Sequence, residues 1–413
     1  MRRFAKSNRL LFAGVVLCAA VGALAAEAVT PVPRAGDEKA LIDVQLLGKR
    51  IFEDANLSEP RGMSCMSCHA PEHAFQGNNG SRIAAVPVGS RPDQFGARKA
   101  PTIMYKTYNP AFSFYKDMDQ GKEVVEPKGG LFWDGRAIDL VDQVASPLLN
   151  PLEMNNPSRD AVVDKVKSGD YADLVKAVYG QDAFADPKAA MDALSKAVFA
   201  YEATERFAPF SSKFDDTLRG KAKLTPLEAR GLALFTDPKA GNCTACHAGK
   251  PDSKDPTDWI FTDFTYVAPG APRNPAIPAN ADATHFDLGL CQRPGLAEAL
   301  PKETARESLC GKFKVPTLRN VAVAGPYFHN GVFKTLREAV AFYATRDTDP
   351  GHWYPKLAGG EIDKFDDMPS LDKANIDREA PYDRKPGQRP RLSDADIDAL
   401  VAFLATLTDK GMR

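Results

Sequence analysis

The feature that most constrains this chain of 413 residues is a five-residue pattern that occurs twice. Cys-Met-Ser-Cys-His stands at 65–69 and Cys-Thr-Ala-Cys-His at 243–247. Two cysteines and a histidine at this spacing are compatible with a zinc site, a redox-active dithiol or a c-type haem. A zinc site needs four ligands and a dithiol needs no histidine, so neither explains why a histidine follows the second cysteine in both copies.

Attachment of a c-type haem uses the whole pattern, because two thiols bond to the porphyrin vinyl groups and the adjacent histidine binds the iron. The two copies therefore predict two covalently bound haems. The predicted attachment residues are Cys65, Cys68, Cys243 and Cys246, and the predicted iron ligands are His69 and His247.

The first 25 residues have the organisation of a secretory signal peptide. Basic side chains precede an apolar run from 10 to about 22, and Ala23 and Ala25 supply small residues for cleavage. An uncleaved membrane anchor is the alternative, but the run is short for a span of about 20 residues. We expect a protein that is exported and does not span a membrane once the signal is removed.

The balance of charged residues limits the classes of partner that we expect for this chain. Lysine plus arginine number 53 and aspartate plus glutamate number 54. A protein that binds nucleic acid usually carries a clear excess of positive charge, so we expect no nucleic-acid partner. Apolar residues make up 44% of the sequence, which is enough to build buried cores.

Similarity between the two halves extends beyond the cysteine motifs. Gly48 precedes the first motif and Gly231 the second, and a phenylalanine follows each glycine at the same offset, Phe52 and Phe235. Far downstream of each motif comes a helical pattern, from 191 and from 392. We therefore predict a mostly α fold with long irregular loops, in two similar domains at 36–210 and 221–413.

A segment starting at 131, LFWDGRAIDLVDQVASPLLNPLEM, narrows the class further, together with KFKVPTLRNVAVAGPYFHNG at 312–331. With both haem motifs, these segments resemble the bacterial di-haem cytochrome c peroxidase family, including its MauG-like branch. The resemblance implies two cytochrome c domains whose haems face a shared interface. It also implies a periplasmic enzyme whose first haem reacts with hydrogen peroxide while its second haem relays electrons.

The resemblance assigns roles to three residues between the motifs. Trp133 takes the place of the tryptophan between the haems, and Gln143 and Glu153 match the family's catalytic amide and carboxylate. A carboxylate can move a proton between the two peroxide oxygens, and an amide can orient the bound peroxide. Without the family spacing, other roles are open for these residues. Trp133 could be a core aromatic, Gln143 a solvent-exposed surface residue and Glu153 a helix cap.

The remaining axial ligands distinguish branches of the family. The stretch 76–100 contains no histidine, so we predict that the first haem has His69 as its only protein ligand. Tyr343, fourteen residues after His329, stands where classical members carry a methionine and the MauG-like branch a tyrosine. We predict Tyr343 as the sixth ligand of the second haem, with Met368 as a rival ligand and core packing as the alternative role.

Two further expectations concern a cation and a disulfide. Family members usually bind calcium through an asparagine where this chain has Lys99, so calcium binding is doubtful. Cys291 and Cys310 belong to no haem motif, and in an exported protein they predict a disulfide. Closing a loop of this length contributes about 3 kcal/mol on the loop-entropy model.

The predicted function is a di-haem oxidoreductase that reacts with hydrogen peroxide and oxidises a protein partner. One alternative is a cytochrome c peroxidase that takes electrons from a small cytochrome or copper protein. A different class of alternative is an electron-transfer cytochrome without turnover. Tryptophan at 259 or 353 is a candidate exit for oxidising equivalents, although packing explains either residue as well.

Overall fold

Helices are the main regular elements in the part of the chain that the structure describes, which comprises residues 41–77, 79–119 and 122–412. The helices of the first half are α1 (Asp43–Glu53), α2 (Cys65–Cys68), α3 (Leu140–Leu149), α4 (Arg159–Lys167), α5 (Ala172–Tyr179) and α6 (Pro187–Glu202). Those of the second half are α7 (Lys213–Leu218), α8 (Pro226–Thr236), α9 (Leu296–Ala299), α10 (Leu336–Thr345), α11 (Pro350–Trp353) and α12 (Asp394–Ala405). The strands are β1 (Ser113–Asp119), β2 (Lys122–Lys128), β3 (Tyr266–Val267) and β4 (Phe313–Lys314). This computed structural model confirms the predicted helical class.

The two glycines of the sequence repeat explain how each half is assembled. Helix α1 packs on α6 at Gly48, where an added Cβ would lie 1.9 Å from the carbonyl oxygen of Ala197. Helix α8 packs on α12 at Gly231, where an added Cβ would lie 2.0 Å from the carbonyl oxygen of Ala399. Because no side chain fits at either crossing, glycine allows the two backbones to touch.

Each half has its own apolar core built around aromatic rings. In the first core, Phe52 lies edge-on to Tyr201 and Phe207, with ring centroids 5.6 and 6.3 Å away. In the second core, Phe235 lies 5.3 Å from Phe403. Burying large rings in such tilted or edge-to-face pairs contributes to the stability of each core.

Strand pairing and a buried ion cluster join the two halves. Strands β1 and β2 form an antiparallel hairpin, and Lys128 at its end forms a β-bridge with Thr265 of the second half. Arg98 binds Asp287 of the second half through two hydrogen bonds of 2.7 Å and lies 2.6 Å from Asp134 of the first half. Because these groups are largely buried, the guanidinium holds the pKa of Asp287 at about 2.

The signal peptide and the domain bounds stay predictions from the sequence. The predicted signal peptide at 1–25 and the start of the first domain at 36 lie outside the described residues. All described residues belong to one compact unit, so the division at 210–221 stays a prediction. Within the described ranges, no helix has both the length and the apolar character needed to cross a bilayer.

Candidate functional site

A single cavity of about 730 Å³ is bordered by both motif histidines. Its walls also include Trp133, Gln143 and Tyr343. The volume falls in the range of about 300–1,000 Å³ that is usual for small-molecule and cofactor sites. The tertiary structure therefore brings together residues that lie far apart in the sequence.

The first histidine is oriented by the loop that follows its motif. His69 comes directly after α2, and its Nδ1 lies 2.9 Å from the carbonyl oxygen of Phe75. Because a carbonyl only accepts, Nδ1 carries the proton and donates it, which leaves Nε2 with a free lone pair. Burial lowers the pKa of His69 to about 4, so the ring is neutral at physiological pH.

The second histidine repeats this arrangement. His247 Nδ1 lies 3.1 Å from the carbonyl oxygen of Phe261, and burial lowers the pKa of His247 to about 4. Phe75 and Phe261 have φ values of 53° and 57°, a backbone conformation that is unusual for a bulky residue. A phenylalanine in the left-handed conformation therefore presents its carbonyl to the histidine in both halves, and both rings are oriented to bind a metal through Nε2.

All four motif cysteines are free thiols. Burial raises the pKa of each to about 12: Cys65, Cys68, Cys243 and Cys246. A redox-active dithiol needs a lowered thiol pKa, so this environment disfavours that interpretation. Among the residues described, no three His, Cys, Asp or Glu side chains are gathered into a group that could hold a metal ion.

Within the part of the chain that the structure describes, the cavity walls also carry a buried ring nitrogen without a partner and a buried ammonium without a charged partner. The Nε2 atom of buried His329 has no hydrogen-bond partner among the described residues. The buried ammonium of Lys99 donates to the carbonyl oxygen of Ala324, and burial lowers the pKa of Lys99 to about 7. A buried ammonium is usually paired with an anion, and a buried ring nitrogen usually has a hydrogen-bond partner. Haem carboxylates would supply that charge, and together with the histidines and thiols these residues fit two haems.

Trp133 lies at the seam between the two halves. Its Nε1 donates to the carbonyl oxygen of Lys99 at 2.9 Å, and its own carbonyl accepts from the backbone N–H of Lys314 at 2.8 Å. The indole is half-buried and borders the same cavity as both motif histidines. Bonds to a first-half and a second-half residue therefore hold Trp133 in place.

Gln143 and Glu153 occupy different surroundings. Gln143 lies on α3 and borders the cavity, and its Oε1 accepts from Lys106 Nζ at 3.3 Å. Glu153 does not border the cavity, but its charge acts on the thiol of Cys68. Burial raises the pKa of Glu153, and the positive charge of Arg136 opposes that rise. The structure thus groups Gln143 with His69 and places Glu153 beside the attachment motif.

The two rival ligands of the second haem lie in different places. Tyr343 is on α10 and borders the cavity with His247, and its ring stacks on Tyr382 at 5.4 Å. The side chain of Met368 is buried against Gly311, and Met368 borders a separate small cavity. Of the two, only Tyr343 borders the same cavity as His247.

Cys291 and Cys310 form a disulfide, with Cα atoms 4.7 Å apart. The bond lies in a small apolar cluster that also contains Tyr266. Trp259 is 3% exposed and packs in the second core, so it does not reach the surface. Trp353 is half-buried, and its Nε1 donates to Thr345 Oγ1.

Sequence reasoning did not identify two polar residues near the first site, Lys106 and Glu202. Lys106 opens a short 3₁₀ helix at 106–108, where no periodic pattern marks it, and Glu202 is one of several charges on α6. Only their buried contact, with Nζ and Oε2 2.6 Å apart, distinguishes them from surface charges. No local sequence signal predicts such a pair.

Comparisons with known proteins agree with the geometry. A model of the di-haem cytochrome c peroxidase family matches residues 43–223. The chain is 38% identical over 378 residues to methylamine utilization protein MauG of Paracoccus denitrificans, covering 88% of each protein. It is 31% identical over 326 residues to the cytochrome c551 peroxidase of Nitrosomonas europaea, covering 78% of each. The crystal structure of the diheme peroxidase BthA from Burkholderia thailandensis matches with a TM-score of 0.82 and 43% identity, covering 92% of this chain and 90% of that one.

The chain therefore belongs to the di-haem cytochrome c peroxidase/MauG family of peroxidase-type oxidoreductases, as the sequence analysis predicted. Membership of this family implies two haem cofactors. The relatives include proteins named MauG and proteins named cytochrome c peroxidase, so membership alone does not choose between the two activities.

Proposed function

We propose that this protein is a periplasmic di-haem c oxidoreductase of the MauG-like type. It reacts with hydrogen peroxide at the His69 side of the cavity and oxidises a protein partner from the His247 side. The observation that carries the proposal is the shared cavity, bordered by both motif histidines and by Trp133, with Gln143 on one wall and Tyr343 on another. The predicted signal peptide supports the periplasmic location.

The haems would be held by cysteine and histidine side chains that the fold already places for this role. Cys65 and Cys68 would form the thioether bonds of the first haem and Cys243 and Cys246 those of the second, so each proposed domain carries one haem. Both motif histidines present a neutral Nε2 for the iron, because Nδ1 is occupied by a backbone carbonyl. When bound, the haems supply the iron chemistry that cleaves peroxide and holds oxidising equivalents.

At the first site, the side chains handle peroxide and its proton. Gln143 borders the cavity and is placed to hydrogen-bond a small oxygen ligand. Glu153 is proposed to take a proton from one peroxide oxygen and return it to the other. Burial raises the pKa of this carboxyl group towards the range where it can serve as both base and acid.

At the second site, Tyr343 is the proposed sixth ligand. Burial raises the pKa of the Tyr343 phenol, so a phenolate there requires the positive charge of the iron to stabilise it. An anionic oxygen donor favours oxidised iron and lowers the reduction potential. This ligand supports partner oxidation rather than electron storage.

The second candidate is a cytochrome c peroxidase that receives electrons from a small cytochrome or copper protein. The relative of Nitrosomonas europaea that is named cytochrome c551 peroxidase favours it. The two readings differ at the second haem, because electron storage needs a ligand that stabilises reduced iron. An electron-transfer cytochrome without turnover requires two closed haems, so it is distinguished by the same measurement.

Electron paramagnetic resonance of the ferric protein as isolated tests the proposal. We expect one high-spin and one low-spin haem, and peroxide should change the optical spectrum without prior reduction. Two low-spin signals would contradict an open first site. A requirement for half-reduction before peroxide reacts would favour the cytochrome c peroxidase reading instead.

A further inference from the structure

A buried polar triad lies beside the first site, formed by Lys106, Gln143 and Glu202. The ammonium of Lys106 lies 2.6 Å from Glu202 Oε2 and 3.3 Å from Gln143 Oε1. The side chains of the ion pair are 7% and 4% exposed. Three separate elements meet at this ammonium: the 3₁₀ helix at 106–108, α3 and the last residue of α6.

The ammonium determines which way the Gln143 amide faces. A lysine ammonium has three donors and no acceptor, so only the amide oxygen of Gln143 can bind it. The amide nitrogen is then directed elsewhere and has no acceptor among the described residues. Because Gln143 borders the cavity together with His69, its N–H groups are available to a ligand there.

The second half repeats the backbone of the triad but not its chemistry. Lys106 and Val321 each follow a residue in the left-handed conformation and begin a 3₁₀ helix. Gln143 and Ala339 each lie four residues after the N-cap of α3 and α10. On α6, Glu202 lies five residues after Ala197, which contacts Gly48. On α12, Leu404 lies five residues after Ala399, which contacts Gly231, so Leu404 is the equivalent of Glu202. The second half therefore has apolar residues at all three positions, and all three border the cavity.

The backbone arrangement does not require charged or polar residues at these three positions. The second half buries Val321, Ala339 and Leu404 in the same backbone arrangement without any charge. A buried ion pair stabilises a fold little relative to apolar residues of similar size. The polar triad of the first half is therefore better explained by a task at the first site than by stability.

We propose that Lys106, held by Glu202, is a positioning residue that keeps the Gln143 amide turned with its N–H groups towards the ligand side of the His69 haem. The inference rests on the proposed peroxide reaction at that haem. Without the ammonium, the Gln143 amide is free to turn over, and it would then present an acceptor where a peroxide oxygen needs a donor. The triad thereby makes the first site a hydrogen-bond-donating site, unlike the second.

The test replaces the charged pair by its own second-half counterparts, Lys106→Val with Glu202→Leu. Carbon monoxide bound to the reduced His69 haem is the probe, because a nearby N–H donor lowers the C–O stretching frequency. We expect this band to move to higher frequency or to split in the double variant, and the peroxide reaction to slow about 10- to 100-fold. Haem content should not change. An unmoved C–O band would overturn the proposal.

A double-mutant cycle with Gln143→Ala separates positioning from a merely structural role. If Lys106 acts through Gln143, the Lys106→Val and Glu202→Leu changes should alter the peroxide rate by no more than about twofold in the Gln143→Ala background. The full 10- to 100-fold loss in that background would overturn the proposal. Lys106→Met provides an independent variant with the same expected band shift. Absence of any peroxide reaction in the wild type would refute the proposed function, while the C–O band would still test the triad.

Discussion

The two halves share a scaffold and differ in the side chains at equivalent positions on it. Helices α3 and α10 each begin after a side-chain N-cap, Asp139 and Thr335. The eighth residue is Pro147 in α3 and Tyr343 in α10. A proline has no donor atom for a metal, whereas a phenol has one. One backbone arrangement thus carries a side chain with a potential metal-donor atom in one half and a side chain without one in the other.

This comparison indicates how a duplicated fold supports two roles. The features proposed to hold a haem are the same in both halves: the thiol pair, the neutral histidine and the backbone carbonyl that orients it. The polar side chains that are proposed to act on a ligand of the haem are not repeated. Lys106, Gln143 and Glu202 of the first half correspond to apolar residues in the second half. A few side chains therefore account for the contrast between the sites.

The largest expected effect comes from Tyr343→His, which exchanges the proposed anionic ligand for a neutral one. The reduction potential of the second haem should rise, because a neutral donor stabilises ferric iron less. Oxidation of a protein partner should be abolished while peroxide still binds at the His69 haem. Spectroelectrochemistry and stopped-flow absorbance measure the two effects separately. Loss of both activities together would mean that Tyr343 supports the fold rather than the chemistry.

A second test addresses the proton transfer that is assigned to the first site alone. Glu153→Gln should slow the peroxide reaction by about 10² to 10⁴, with unchanged haem content and an unchanged spectrum of the second haem. In the wild type, the base form of Glu153 is lost as pH falls through its raised pKa, so the rate should fall at a pH above the ordinary glutamate range. That acidic limb should vanish in the variant. Native kinetics in Glu153→Gln would return this residue to a capping role.

The smallest effects test whether the halves are equivalent as scaffolds. Gly48→Ala and Gly231→Ala each push a methyl group against a backbone carbonyl at a helix crossing. Each should lower the free energy of unfolding by about 1–3 kcal/mol, which chemical denaturation measures. An exposed glycine with open space around it and an ordinary backbone conformation, Gly359, offers a control for the general effect of alanine. A large effect at one crossing and none at the other would break the structural equivalence.

Local patterns were sufficient for the class of protein and for much of its site. The two haem motifs, the helical patterns and the segments at 131 and 312 predicted the helical fold and the family, and both are confirmed. They also singled out Trp133, Gln143 and Tyr343, which the fold brings to one cavity. Their proposed roles rest on the tests above.

What the sequence determined by itself is the set of residues whose chemistry depends on neighbours along the chain. A Cys-x-x-Cys-His pattern works within five residues, and a helix cap works within four, so both can be read from the sequence. The tertiary structure alone decided that Lys106 and Glu202, which are separated by most of the first half, meet beside Gln143. Such a contact depends on how α6 folds back on α1, and that packing follows from the burial of whole helix faces rather than from any local motif.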